Sequence, residues 1–207
     1  MNLANQLTVV RMMLIPFFIL AMLTGRMAWA LAIFVIAGCT DALDGLVARL
    51  YRQKTDLGAF LDPMADKLLL TAAFIVLAMP DRPSLFPDFV LINRIPARLA
   101  ILTISRDVFI VLIALVLHMT TGIRRFPPTL VSKVHTTVQI LTVSLVLLYG
   151  TLGVRSSALL SACFSATLVT TLLSGFHYIY LSARVMAQTP PRAASEHAAR
   201  PPASGPS

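Results

Sequence analysis

The stretch DALDGLVARLYRQKTDLGAFLDPMADK, residues 41–67, sets four carboxylates, Asp41, Asp44, Asp62 and Asp66, between two runs of sequence apolar enough for a lipid bilayer. A carboxylate costs about 2.5–3.5 kcal/mol at the centre of a bilayer on insertion scales, so four together need a reason. Asp41 and Asp44 are three apart and Asp62 and Asp66 four apart, so on helices each pair shares one face. A link of about eight residues predicts antiparallel neighbouring helices, with both pairs one to two turns from the connection and converging on one spot.

Composition sets the frame for that spot. The 207-residue chain is 57% hydrophobic and 13% charged, with a mean hydropathy of +0.81, which is the range of integral membrane proteins. Its net charge of +8 could suggest nucleic acid, yet no basic run with interleaved aromatics occurs. Basic loops facing an anionic leaflet explain the charge better. Cys39 and Cys163 sit singly in apolar runs and read as packing residues, neither disulfide nor metal ligands. The apolar start ends at Ala28-Trp29-Ala30, which resembles a leader cleavage site, but the apolar sequence continues at once, so a retained helix is expected.

Apolar segments lie at about 7–24, 28–50, 59–79, 97–119, 133–152 and 157–183, each near the ~20 residues that span a bilayer core. The expected fold is all-α, a polytopic membrane protein with six transmembrane helices. In helices two and three the uncharged runs are short, so the acidic segment must belong to the helices at one membrane face. Lys and Arg in the loops divide nine to five in favour of the side holding Arg49, Arg52, Lys54, Arg124, Arg125 and Lys133. That places both termini in the cytoplasm and the acidic site at the cytoplasmic face, in a cell (inner) membrane. Residues 80–95, with three prolines, predict a surface connection. The domain is expected over 1–186, followed by a disordered tail over 187–207, rich in Pro, Ala and Ser.

Four carboxylates in a partly dry place cannot all stay ionised without cations. Arg49 and Lys67 neutralise part of the charge, and Pro63 reads as a first-turn proline of helix three. Hard divalent ions, Mg²⁺ or Mn²⁺, fit the remainder, since they take carboxylate oxygens and share substrate phosphates. Two such ions would clamp a pyrophosphate. Gly45 and Gly58 leave room beside the acids for a flat ligand. Two other classes use intramembrane aspartates: prenyltransferases acting on a prenyl diphosphate, and cation transporters. The first carries two separated acidic motifs and the second a mid-membrane site with two-sided access, whereas here one cluster lies towards one face.

Written as a pattern, the stretch is D-x-x-D-G-x-x-A-R-x8-G-x-x-x-D-x-x-x-D, through Asp41, Asp44, Gly45, Ala48, Arg49, Gly58, Asp62 and Asp66. It resembles the signature of the CDP-alcohol phosphatidyltransferase family at all eight positions. The resemblance implies a six-helix enzyme that moves a phosphatidyl group from CDP-diacylglycerol to an alcohol and releases CMP. It implies that Asp41, Asp44, Asp62 and Asp66 hold two metal ions, that Asp66 is the general base, and that Gly45, Ala48, Arg49 and Gly58 line the cytidine and phosphate pocket. The start of the chain, with Asn5, Thr8 and Arg11, is similar to the family's N-terminal segment, with Ala4 in place of proline. Asn5 and Thr8 are thereby expected in the CDP-lipid pocket, while Arg11 fits a phosphate contact or an anchor snorkelling to the interface.

Ile104-Ser105-Arg106-Asp107 and Ser132-Lys133-Val134-His135-Thr136, with Gln139, resemble segments of phosphatidylglycerophosphate synthases and of CDP-diacylglycerol-dependent cardiolipin synthases. Arg106, Lys133 and His135 are therefore expected at the acceptor, either glycerol 3-phosphate or phosphatidylglycerol. Arg106 lies deep in an apolar run, where it faces a cavity or pairs with Asp107. His135 stands where the first group usually has lysine, and a protonated His can also hold phosphate. His118, His177, Tyr178 and Tyr180 read as interfacial residues. Members of the family often form homodimers.

Overall fold

The computed structural model describes residues 3–51, 56–81, 84–121, 130–155 and 157–188, with side chains described outside 3–8, 41–66, 114–121 and 185–188. Among these residues the fold is six helices and no strand: α1 (Leu3–Leu23), α2 (Met27–Tyr51), α3 (Asp56–Ala78), α4 (Ala97–Thr121), α5 (Leu130–Leu152) and α6 (Ala158–Gln188). Each expected apolar segment is a helix, and α6 runs past the anticipated end of the domain to Gln188. The tail from 189 onward lies outside the described residues.

The core is built from stripes at helical spacing. Phe18 and Met22 of α1, Ala30, Phe34 and Ala37 of α2, and Leu70, Ala73, Phe74 and Leu77 of α3 are buried against one another. The rings of Phe18 and Phe34 meet with centroids 6.0 Å apart. Such a pairing adds about 0.5–1.5 kcal/mol beyond area burial. The outward faces are apolar as well: Phe17, Trp29, Phe109, Leu173 and Phe176 are all exposed. Continuous exposed apolar surface of this kind marks contact with lipid or a partner. By length and composition alone, Leu130–Leu152 and Ala158–Arg184 can each cross a bilayer, while Val9–Leu23, Met27–Thr40 and Lys67–Ala78 are shorter apolar helices.

The α5–α6 and α4–α6 seams are small and polar. Thr142 bonds Thr167 at 2.8 Å, and Thr103 meets Thr171 at 3.3 Å, all four buried. In each pair one hydroxyl donates across the seam and the other can donate back to a carbonyl of its own helix, which lies within reach of Thr142, Thr167 and Thr171, so none is stranded. Small residues let backbones approach closely, and this is how apolar helices cohere without a hydrophobic drive between them.

Residues 84–96 differ from the expected surface connection. Phe89, Leu91, Asn93 and Ile95 alternate inward and are buried. The Ile95 amide donates to Leu77 O at 3.1 Å, and Asn93 Nδ2 donates to Val154 O at 2.7 Å. The segment thus covers the C-terminal ends of α1, α3 and α5, and an Arg94–Asp81 ion pair closes it. Its period-two alternation of apolar residues outweighs its prolines, which only fix where it turns. Cys39 also departs from expectation, being exposed on α2, whereas Cys163 is partly buried; both are free thiols.

Two of the covered ends share one device. Gly25 and Gly153 both have φ of +69°, and each is followed by an amide reaching back five residues, Arg26 to Ala21 O and Val154 to Tyr149 O. A methyl group at Gly25 would lie 2.3 Å from Asp88 O, whereas one at Gly153 meets nothing within 4 Å. Gly153→Ala is expected to cost only the backbone strain, about 1–3 kcal/mol. Gly25→Ala adds a backbone clash, so its melting temperature in detergent should fall clearly further. Equal losses would show that Asp88 yields freely.

Candidate active site

The helix ends place the four aspartates. Asp41 lies ten residues before Tyr51, the end of α2, and Asp66 ten residues after Asp56, the start of α3; Asp44 and Asp62 lie seven and six residues from the same ends. At 1.5 Å per residue, both pairs sit about 9–15 Å inside the bundle, at matched depth. That is two to three turns, deeper than the expected one to two, because both helices continue through charged residues beyond their apolar runs. Pro63 is correspondingly the eighth residue of α3 and not a first-turn proline. Lacking an N–H, it leaves the Ala59 carbonyl without its usual helical donor. The extensive contacts of α2 are to α1 and α5, and those of α3 to α1, α4 and α5. The two acidic helices thus share α1 as a packing partner. The side chains of Asp41, Asp44, Gly45, Ala48, Arg49, Gly58, Asp62 and Asp66, and of Asn5, Thr8 and His118, lie outside those described.

Directly after Asp66 a described network begins. Lys67 Nζ donates to Asp107 Oδ1 at 2.9 Å, and Arg106 Nη1 donates to the same oxygen at 2.6 Å. Arg106 Nη2 donates to Ser132 Oγ at 2.7 Å and to Ser174 Oγ. One guanidinium thus ties α4 to α5 and α6, while its carboxylate neighbour ties α4 to α3. Arg106 is only 6% exposed, and Asp107 retains 13% of its side-chain surface. Burial of this kind is tolerable because the charges are paired and bonded. Among the described residues, Lys67 and Arg106 thus share one carboxylate, next to the segment that carries Asp66.

His135 is fully buried on α5, and its Nδ1 lies 3.1 Å from Thr170 Oγ1 of α6. Ser132, which Arg106 holds, lies one turn before His135 on α5, and Ser174, which it also holds, one turn after Thr170 on α6, so His135 adjoins the same cluster. Lys133 does not: it is exposed, and a residue two positions from His135 faces another way on a helix. Of the three residues expected at the acceptor, the fold brings together Arg106 and His135 only. Arg106 takes both of its anticipated roles, paired with Asp107 and lining the groove between α4 and α6. Arg11 is 1% exposed, so it is an interior residue of α1 and not a snorkelling anchor. Gln139 is buried on the His135 face. His177 and Tyr180 are exposed as expected, whereas Tyr178 helps line a groove of about 270 Å³ between α4 and α6 with Phe109 and Phe176.

Sequence reasoning missed Ser174 and Thr170. The spacing of Thr167, Thr170, Thr171 and Ser174 on α6 was the available signal, since small hydroxyl residues at steps of three and four form one stripe.

The profile of the CDP-alcohol phosphatidyltransferase family matches residues 1–176. A probable phosphatidylglycerophosphate synthase of Mycobacterium tuberculosis is 33% identical over 181 residues, covering 82% of this chain and 78% of that one. A CDP-diacylglycerol--glycerol-3-phosphate 3-phosphatidyltransferase of Bacillus subtilis is 35% identical, covering 72% and 78%. The rat cardiolipin synthase (CMP-forming) is 32% identical, covering 73% of this chain and 51% of its own length. The match spans α1 to α5 and over half of α6, and it includes the whole acidic stretch and the Lys67–Asp107–Arg106 network. This chain belongs to the CDP-alcohol phosphatidyltransferase family and is a phosphatidyltransferase of phospholipid biosynthesis.

Proposed function

We propose that this enzyme transfers the phosphatidyl group of CDP-diacylglycerol to a primary hydroxyl of a glycerol phosphate, either free glycerol 3-phosphate or the headgroup of phosphatidylglycerol, with release of CMP. The observation that carries this reading is the placement of Lys67. It joins the aspartate-bearing α3 to the Arg106 network, so two cations, Lys67 and Arg106, stand together directly after Asp66, as an anionic acceptor requires. The relatives named for both acceptors support the same range of substrates.

In the proposed site, Asp41, Asp44, Asp62 and Asp66 would hold Mg²⁺ or Mn²⁺, a donor set of hard oxygens suited to either. Such ions, when bound, offset the charge of the pyrophosphate and of the leaving CMP. Asp66 accepts the proton of the attacking hydroxyl. The freed oxygen forms a bond to the β-phosphorus that bears the lipid, and the bond from that phosphorus to the bridging oxygen breaks, so the electron pair leaves with CMP. Gly45, Ala48, Arg49 and Gly58, with Asn5 and Thr8, line the CDP-lipid pocket. The acceptor side consists of Arg106 and His135, with Lys133 outside it.

All six helices cross the membrane in this reading, with both termini and the aspartates on the cytoplasmic side of a cell membrane, and the chain can pair as a homodimer. The test is purified protein in mixed micelles with CDP-diacylglycerol, Mg²⁺ and each acceptor in turn. CMP release that depends on one of the two acceptors is expected. Release with neither would overturn the proposal.

A further inference from the structure

His135 carries a second message in its hydrogen bonds. Thr170 has one hydroxyl hydrogen, and its Oγ1 lies 2.8 Å from Ala166 O and 3.1 Å from Thr167 O, the usual back-bonds of a helical threonine. These back-bonds favour Thr170 as the acceptor from the ring, which assigns the ring hydrogen to Nδ1 of His135. In the neutral ring Nε2 is then a bare lone pair. It is buried and has no hydrogen-bond partner among the described residues. A buried acceptor left unmet costs about 1–3 kcal/mol, so its retention asks for a donor. Among the described residues, Lys67 and Arg106 Nη1 donate to Asp107 and Arg106 Nη2 to the two serines, while the buried Arg106 Nε also lacks a partner and makes no hydrogen bond to Nε2.

We infer that His135 Nε2 accepts a hydrogen bond from the acceptor's second hydroxyl, the one on the carbon next to the attacking oxygen, and so selects a vicinal diol. The inference rests on the transfer proposed above and names what the acceptor must carry. Asp66 takes the attacking hydroxyl's proton, which leaves the neighbouring hydroxyl as the donor needing a partner. Both glycerol 3-phosphate and phosphatidylglycerol present that pair of hydroxyls, so the chemistry recognised is common to them. His135 thus takes a hydroxyl where a lysine would hold a phosphate. Thr170 acts as a positioning residue that fixes which ring nitrogen faces the substrate.

The test compares each acceptor with its deoxy form: glycerol 3-phosphate against 3-hydroxypropyl phosphate, and phosphatidylglycerol against phosphatidyl-1,3-propanediol. The unaltered enzyme should lose about 10–100-fold in kcat/KM on the deoxy member of the pair it uses, the scale of one lost hydrogen bond in a built site. Whichever pair shows that loss names the source of the diol. His135→Gln, which keeps an acceptor in reach, should retain the discrimination, and His135→Lys, which can only donate, should abolish it. Thr170→Val should shrink the ratio by freeing the ring to change tautomer, without altering KM for CDP-diacylglycerol. Equal use of diol and deoxy acceptors by the unaltered enzyme overturns the inference, and so does discrimination kept by His135→Lys but lost by His135→Gln. CMP release with no acceptor at all overturns the transfer reading and the inference with it.

Discussion

Asp66→Asn is expected to lower CMP release by about 10³-fold, in the middle of the 10²–10⁴ range for loss of a general base. The change removes one negative charge and the proton acceptor while keeping the size of the side chain. If Asp66 served only to hold a cation, a higher Mg²⁺ or Mn²⁺ concentration would restore much of the rate, because weakened binding is overcome by mass action. If it is also the base, saturating metal leaves the deficit in kcat. Asp41→Asn supplies the contrast, since its proposed role is as ligand alone and its loss should respond to added metal. A rate for Asp66→Asn within threefold of the unaltered enzyme would remove Asp66 from the chemistry.

The second large effect concerns Arg106. Arg106→Met deletes the donors that reach Asp107, Ser132 and Ser174, and leaves a largely buried carboxylate with Lys67 as its one described partner. Breaking a buried pair from one side costs about 3–5 kcal/mol, so the variant should melt far earlier in detergent. Arg106→Met combined with Asp107→Leu removes both charges and should recover most of that loss, since apolar replacement of a whole buried pair is near neutral. The double variant then separates two roles. Recovery of stability together with recovery of CMP release would make Arg106 purely architectural. Recovery of stability with a raised KM for the acceptor would show that its charge also serves the substrate. Arg106→Lys is no rescue, because a single ammonium cannot present the fork that meets three acceptors on three helices.

The six helices and the acidic motif were legible in the sequence because each rests on local spacing: apolar runs of bilayer length, and aspartates at steps of three and four. Depth was less legible. The apolar runs of α2 and α3 stop at Thr40 and begin again at Leu68, so the aspartates looked marginal, whereas the backbone hydrogen-bond ladder continues to Tyr51 and back to Asp56. The partners of Arg106 were split in the same way. Asp107 is adjacent in sequence and was foreseen, but Ser174 stands 68 positions away. Only the rotation of α6 against α4 decides that a serine and not Phe176 faces the guanidinium. Lys133 and His135 show the converse. They lie in one resembling segment, yet helical periodicity leaves Lys133 on the exposed surface and sends His135 into the interior.

The packed connection over residues 84–96 bears on how this protein can be handled. Phe89, Leu91, Asn93 and Ile95 point inward, while Val90 and Ile92 point out. A thiol-reactive probe walked along this segment would therefore report every second position as shielded, a pattern set by packing that carries no information about sidedness. An epitope or reporter spliced between Phe89 and Ile95 would pry open the closed ends of three helices, so sidedness assays belong at Leu85 or Pro87, which are exposed and precede the buried alternation.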